Sequence, residues 1–197
     1  MTRRFDRGDT GQAFPIYLTV VGGLLFLALA YFAVGQAAAT RSEAQTAADA
    51  AALAAALETR DRLADEWLTV ILEPDAWQEI FDGNAPVPNA CWRAHELAAR
   101  NGASVTCQRV DALEYTVVAE TEEAVGDTIV PGTEVQKATE SATAVIETRC
   151  SFELSTEEAE LDELPKLTCE DDDWVLDPDD PLDLPKPEDL FDVHLAD

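Results

Sequence analysis

Hydrophobic and polar positions change their rhythm several times along the chain. No charged side chain occurs across residues 10–40, and residues 14–34 form a nearly unbroken apolar run. In a helix such a run rises about 31 Å, enough to cross a hydrocarbon core of about 30 Å. A transmembrane helix is therefore expected over residues 14–36. Pro15 falls early, where its missing N–H is harmless. Gly22, Gly23 and Gly35 read as close-packing or flexible points, because their spacing gives no GxxxG motif.

Beyond the apolar run, residues 42–72 keep a helical period. Leu53, Leu57, Ala64, Trp67, Leu68, Ile71 and Leu72 recur at helical spacings, while Glu58, Arg60, Asp61, Arg62, Asp65 and Glu66 fall largely on the other face. Ahead of that stripe, Ala47, Ala48, Ala50, Ala51, Ala52, Ala54, Ala55 and Ala56 favour a thin helical rod that other helices can approach closely. A stem helix continuous with the membrane span is expected, ending near Glu73 because Pro74 disfavours helical geometry in the residue before it. The Trp67 region is expected to pack on its own domain, and the alanine tract to pack against other helices.

A short helix is expected over residues 75–81, stopped by Gly83, and a longer one from an Asn89 cap to Arg100, ended by Asn101-Gly102. The period then becomes two. Val105, Cys107 and Arg109 alternate with Thr106, Gln108 and Val110, and Leu113, Tyr115, Val117 and Ala119 share a face, which predicts a hairpin. Ala138, Glu140, Ala142, Ala144 and Ile146 mark a third strand within residues 134–148, and its threonine-rich opposite face suits a partly solvated antiparallel sheet. The fold class is α+β: a membrane helix, an alanine-rich helix, a small antiparallel sheet with one or two short helices, and an acidic tail. The expected divisions are a basic N-terminus at 1–13, the span at 14–36, the stem at 37–73, an outer domain at 74–150 and an Asp/Glu/Pro-rich segment at 151–197. Within that last segment, residues 190–195 form an apolar cluster able to dock back as an edge strand.

Charge adds orientation. Arg3, Arg4 and Arg7 precede the span, whereas Arg41, Glu43 and Asp49 follow it, so the Lys/Arg bias places the N-terminus in the cytoplasm and the rest outside the cell. A cleaved signal peptide competes with this reading, since Ala37-Ala38-Ala39 offers a cleavage site. Its apolar region would be longer than the 7–15 residues usual for one. Forty Asp and Glu against thirteen Lys and Arg give a net charge of -27, which repels nucleic-acid phosphates. Such a surface keeps an outer domain soluble and suits cations or basic partners.

Four cysteines in an exported domain imply two disulfides. A helix climbing from Cys91 to Arg100 covers about 15 Å, and a strand returning to Cys107 covers a similar distance, which pairs Cys91 with Cys107 and leaves Cys150 for Cys169. No C-x₂-C spacing supports zinc. Asp171, Asp173, Asp177 and Asp179 suggest a cation site, but the glycine and terminal glutamate of an EF-hand loop are missing. His95 and His194 lie in no nucleophile elbow or HExxH motif, and no glycine-rich phosphate loop occurs outside the span. Catalytic, cofactor-binding and metal-ligating residues are accordingly assigned to none.

The run Gly11-Gln12-Ala13-Phe14-Pro15-Ile16-Tyr17, the apolar helix, and then Ala44-Gln45-Thr46-Ala47-Ala48-Asp49-Ala50-Ala51-Ala52-Leu53-Ala54 resemble the N-terminus of TadE/TadG-like Tad (Flp) pilus-assembly proteins, most closely the short actinobacterial TadG-related form. The resemblance implies a pseudopilin-like or accessory subunit anchored by its N-terminal helix and presenting a head outside, and with no catalytic motif in the sequence the expected role is non-enzymatic. The expected partners are membrane lipid and, through the N-terminal helix, other pilus-assembly or pilin-like proteins, with a homo-oligomer left open, while the net charge argues against nucleic acid. Gly11 matches the glycine after which prepilin peptidases cut, but the fifth following residue is Ile16 rather than glutamate. A permanently anchored subunit is expected. The reading from another class is a membrane-tethered binding module whose acidic head captures a cation, peptide or cell-wall ligand.

Overall fold

The computed structural model describes residues 13–124, 135–154, 164–170, 172–177 and 183–196. Its first element, α1, is a single helix of 57 residues, Ala13–Thr69, about 86 Å long at helical rise. The span and stem are therefore one uninterrupted rod. The helix stops a turn earlier than expected: Val70 donates its N–H to the Glu66 and Trp67 carbonyls, and Glu73 donates to Val70. Pro74 then opens a 3-10 turn, Pro74–Ala76, that leads into α2, Trp77–Phe81.

Gly83 ends this region with φ +73, and a Cβ there would stand 2.6 Å from Leu113 Cδ2, so only glycine fits. Helix α3 spans Cys91–Arg100. Its cap differs by one position from expectation: Ala90 occupies the cap, and the Asn89 side chain reaches past it to accept the Cys91 N–H at 2.8 Å.

The strands are β1 (Ala103–Asp111), β2 (Glu114–Thr121), β3 (Thr139–Thr148), β4 (Cys150–Phe152), β5 (Leu167–Cys169), β6 (Asp173–Trp174) and β7 (Phe191–Leu195). A short helix α4, Pro187–Leu190, precedes β7. Strands β1-β2-β3-β7 form an antiparallel sheet, and β4-β5-β6 form a small second one. The predicted hairpin pairs Cys107 with Val117 and bulges between Arg109 and Asp111. The C-terminal apolar cluster docks as an edge strand, with Ile146 opposite Val193 and Thr148 opposite Phe191. The segment expected as an acidic tail thus supplies strands to both sheets, while its residues 155–163, 171, 178–182 and 197 lie outside the described residues.

Alternation gives the main sheet two unlike faces. Tyr115, Val117, Ala119, Ala142, Ala144, Ile146 and Phe191 are buried, whereas Thr106, Gln108, Val118, Ser141 and Glu147 are exposed. The latter half of α1 packs on β2, β3 and β7, and α3 packs on β1 and α1. Both helices cover the same face, because Cys107 bonds to α3 and Tyr115, two residues from its partner Val117, bonds to α1.

One expectation is overturned here. The alanine tract, read as a surface for other helices, is the core of this chain's own head: Ala44, Ala47, Ala48, Ala51, Ala52, Ala55 and Ala56 are each 0% exposed. Small side chains serve the same physical end in both settings, close approach, but the partner is the sheet and α3.

At the far end of α1 the core becomes aromatic. Trp67 and Trp77 meet edge-on at 5.4 Å between ring centroids, and Phe152 stands against Trp77 and Phe81. The Trp77 Nε1–H donates to the Val70 carbonyl at 3.1 Å, while the buried Trp67 Nε1 has no partner among the described residues. Two otherwise equal substitutions should therefore differ. Trp77→Phe is expected to cost about 1 kcal/mol more than Trp67→Phe, because only the first removes a made hydrogen bond. Denaturant unfolding of the two variants checks the order.

Candidate membrane anchor and head

The first half of α1 exposes what a soluble protein would bury. Phe14, Ile16, Tyr17, Leu24, Phe26, Tyr31 and Val34 are all exposed, Tyr31 at 83%. The apolar stretch of α1 has a mean hydropathy of 2.2, and none of it is buried within the chain. Water disfavours that surface at roughly 25 cal/mol per Å² of apolar area, and a bilayer removes the penalty. Thr19 and Thr40 donate their hydroxyls back to the Pro15 and Gln36 carbonyls at 2.5 and 3.2 Å, so these polar groups are satisfied within the helix.

Where the rod enters the head, the first charges appear. Arg41 pairs with Glu140 of β3 at 2.5 Å, and Gln45 donates to Asp49 at 2.7 Å. Deeper in, the buried Thr59 hydroxyl bonds the Tyr115 phenol at 2.8 Å, and the Ala90 N–H donates to that same phenol oxygen at 3.2 Å. One tyrosine thereby ties the rod, the sheet and the approach to α3 together. On the surface of α3, hydrogen bonding from Arg93, followed by the charges of Arg100 and Arg93, outweighs desolvation and holds the Glu96 carboxyl below the usual carboxylate range. The hydrogen bond and charge of Lys166 do the same for Asp173.

The four cysteines pair as expected. Cys91–Cys107 joins α3 to β1 with Cα atoms 5.6 Å apart, and Cys150–Cys169 joins β4 to β5 at 3.9 Å. No cluster of three or more metal-ligating side chains occurs among the described residues. The acidic run at 170–180 falls partly outside them, as does Gly11. His95 lies exposed on α3, and His194 sits on the open sheet face 3.0 Å from Asp192.

These features define a protein in which the one candidate membrane helix among the described residues is also the central helix of a disulfide-bonded α+β head. The model of the Flp pilus-assembly TadE/G-like family matches residues 11–58, the span together with the alanine tract. Over that stretch, about a quarter of the chain, the sequence is similar to the TadE/G-like segment of Flp pilus-assembly proteins. That description does not separate out an actinobacterial form. No curated protein and no solved structure matches the chain.

Sequence reasoning missed the Thr59–Tyr115 bond, since nothing in the spacing of two polar groups so far apart links them. Two substitutions probe the head. Ala51→Leu forces a larger side chain between rod and sheet and should destabilise by about 1–3 kcal/mol. Removing Cys91–Cys107 by a double alanine change should cost about 3 kcal/mol through its short loop. Thermal unfolding followed by circular dichroism reads both, and the unreduced native chain should show no free thiol by mass spectrometry.

Proposed function

We propose that the chain is a non-enzymatic, membrane-anchored structural or assembly component, pseudopilin-like, of a Tad/Flp-type pilus or related secretion apparatus. The observation that carries this reading is the unbroken α1, whose first half is bare apolar surface and whose second half is locked into the head. A movement or tension on the membrane helix passes straight to the head, with no hinge between them to absorb it. That is a mechanical coupling suited to an assembly subunit. The basic N-terminus lies in the cytoplasm and the acidic head outside, following the Lys/Arg bias around the span. Membrane lipid and the helices of other pilus-assembly proteins are the partners of residues 14–36, copies of the chain among them, and the head meets other subunits.

Deleting the gene should remove surface pili and adhesion, and the full chain supplied in trans should restore both. Unaltered pili in the deletion strain would sink the reading. In intact cells an external protease should reach a C-terminal epitope and spare an N-terminal one. Intact mass of the membrane fraction should show a chain retaining residues 1–11; a chain beginning at Gln12 would instead mean processing after Gly11.

A further inference from the structure

Strand β3 is twice as long as the edge strand that covers it. It runs Thr139–Thr148, but β7 pairs only with the stretch from Ala144, opposite Leu195, to Thr148, opposite Phe191. The Ala196 N–H adds one more bond, to the Thr143 carbonyl. In an antiparallel ladder the backbone groups of alternate residues face the same neighbour. Thr143 faces β7, so Ser141 and Thr139 present their N–H and C=O groups toward the same side, where no strand lies among the described residues.

Next to this open edge is a cleft of about 470 Å³ bounded by Gln45 and Asp49 of α1, by Ser141, Ala142 and Thr143 of β3, and by Leu195 and Ala196. It lies between α1 and β3 and reaches the C-terminal end of β7 at Leu195. Its inner wall is small at Ala142 and acidic at Asp49, whose described partner is the neutral Gln45 amide. Glu140, the other inward carboxylate on this stretch, is paired with Arg41. An occupant carrying a cation therefore finds an Asp49 carboxylate with no opposing charge among the described residues, in a chain of net charge -27.

We propose that the β3 edge at Thr139 and Ser141, together with the cleft beneath it, is a strand-addition site for an extended segment of another protein with lysine or arginine on the face turned toward Asp49. Backbone pairing to Ser141 and Thr139 supplies the affinity, and the alternate side chains pointing into the cleft supply the selection. The inference does not depend on the assembly reading, since it concerns the head alone.

The test uses the full chain in lipid nanodiscs and a synthetic six-residue peptide alternating lysine with valine, titrated by calorimetry. The expected result is saturable one-to-one binding, with slowed amide exchange at Ser141 and Thr139. A peptide of the same charge but N-methylated backbone should bind at least about tenfold more weakly, a difference ordinary charge attraction would not produce. Asp49→Asn should weaken the lysine peptide and leave an uncharged threonine-valine peptide unchanged. Ser141→Pro should abolish binding while near-ultraviolet circular dichroism stays native; were that variant to misfold, Asp49→Asn and the methylated peptide still decide. Equal binding of the methylated peptide, unchanged exchange at Ser141 and Thr139, or dimerisation of the chain through this edge would each overturn the proposal.

Discussion

A helix that passes from lipid into a protein core must exchange one kind of partner for another without losing its own hydrogen bonds. In this chain α1 makes the exchange by changing side-chain size. Residues 14–34 carry large apolar groups that face outward, and from Ala44 to Ala56 the fully buried positions are alanines. The backbone ladder continues through both, because alanine is the most helix-favouring residue and nothing between Gly35 and Ser42 breaks the run. The sheet and α3 are arranged around what the alanines leave free. β2 and β3 lie close because no large side chain on this stretch of α1 holds them off, and β3 in turn places β7.

Close approach has a cost in burial. An alanine removes little apolar surface from water compared with leucine or phenylalanine, so an alanine-lined interface is weak per residue. The head offsets this at two places. The far end of α1 gathers Trp67, Trp77, Phe81, Phe152 and Phe191 into one aromatic cluster, and the disulfides fasten α3 to the main sheet and β4 to β5. A graded core results, slim toward the membrane and bulky away from it. The single buried phenol of Tyr115 bridges the two regimes by bonding Thr59 midway along the head.

Much of this was legible from local pattern. The period of α1, the alternation of β1, β2 and β3, Gly83 as a stop and the two cysteine pairs all follow from spacing within a few tens of residues. What was not legible depends on which surfaces meet. The alanine tract announces close packing but not with whom, since small residues suit a neighbouring helix and a sheet equally well; the sheet that covers it comes from residues some sixty to a hundred positions later. The C-terminal acidic segment misled for a related reason. Its composition argues against a core of its own, yet Leu167, Leu176, Leu190 and Phe191 are buried because they complete a core built by others.

Charge and topology are linked in the same way. An outer face mostly of threonine, serine, glutamine and glutamate, with Val110 and Val118 among them, leaves the main sheet open to solvent while both helices share the opposite face. On that open face Glu147 stands directly opposite Asp192 across the β3–β7 pair, an unfavourable like-charge contact. His194 lies diagonally between them, 3.0 Å from Asp192 and 4.0 Å from Glu147, and supplies hydrogen-bonding capacity to the crowded carboxylates. The short β7 is held mainly from the other side, by Phe191 against Phe81 and by α4 against α1, so the edge of the sheet depends on the same apolar core that fixes the rod.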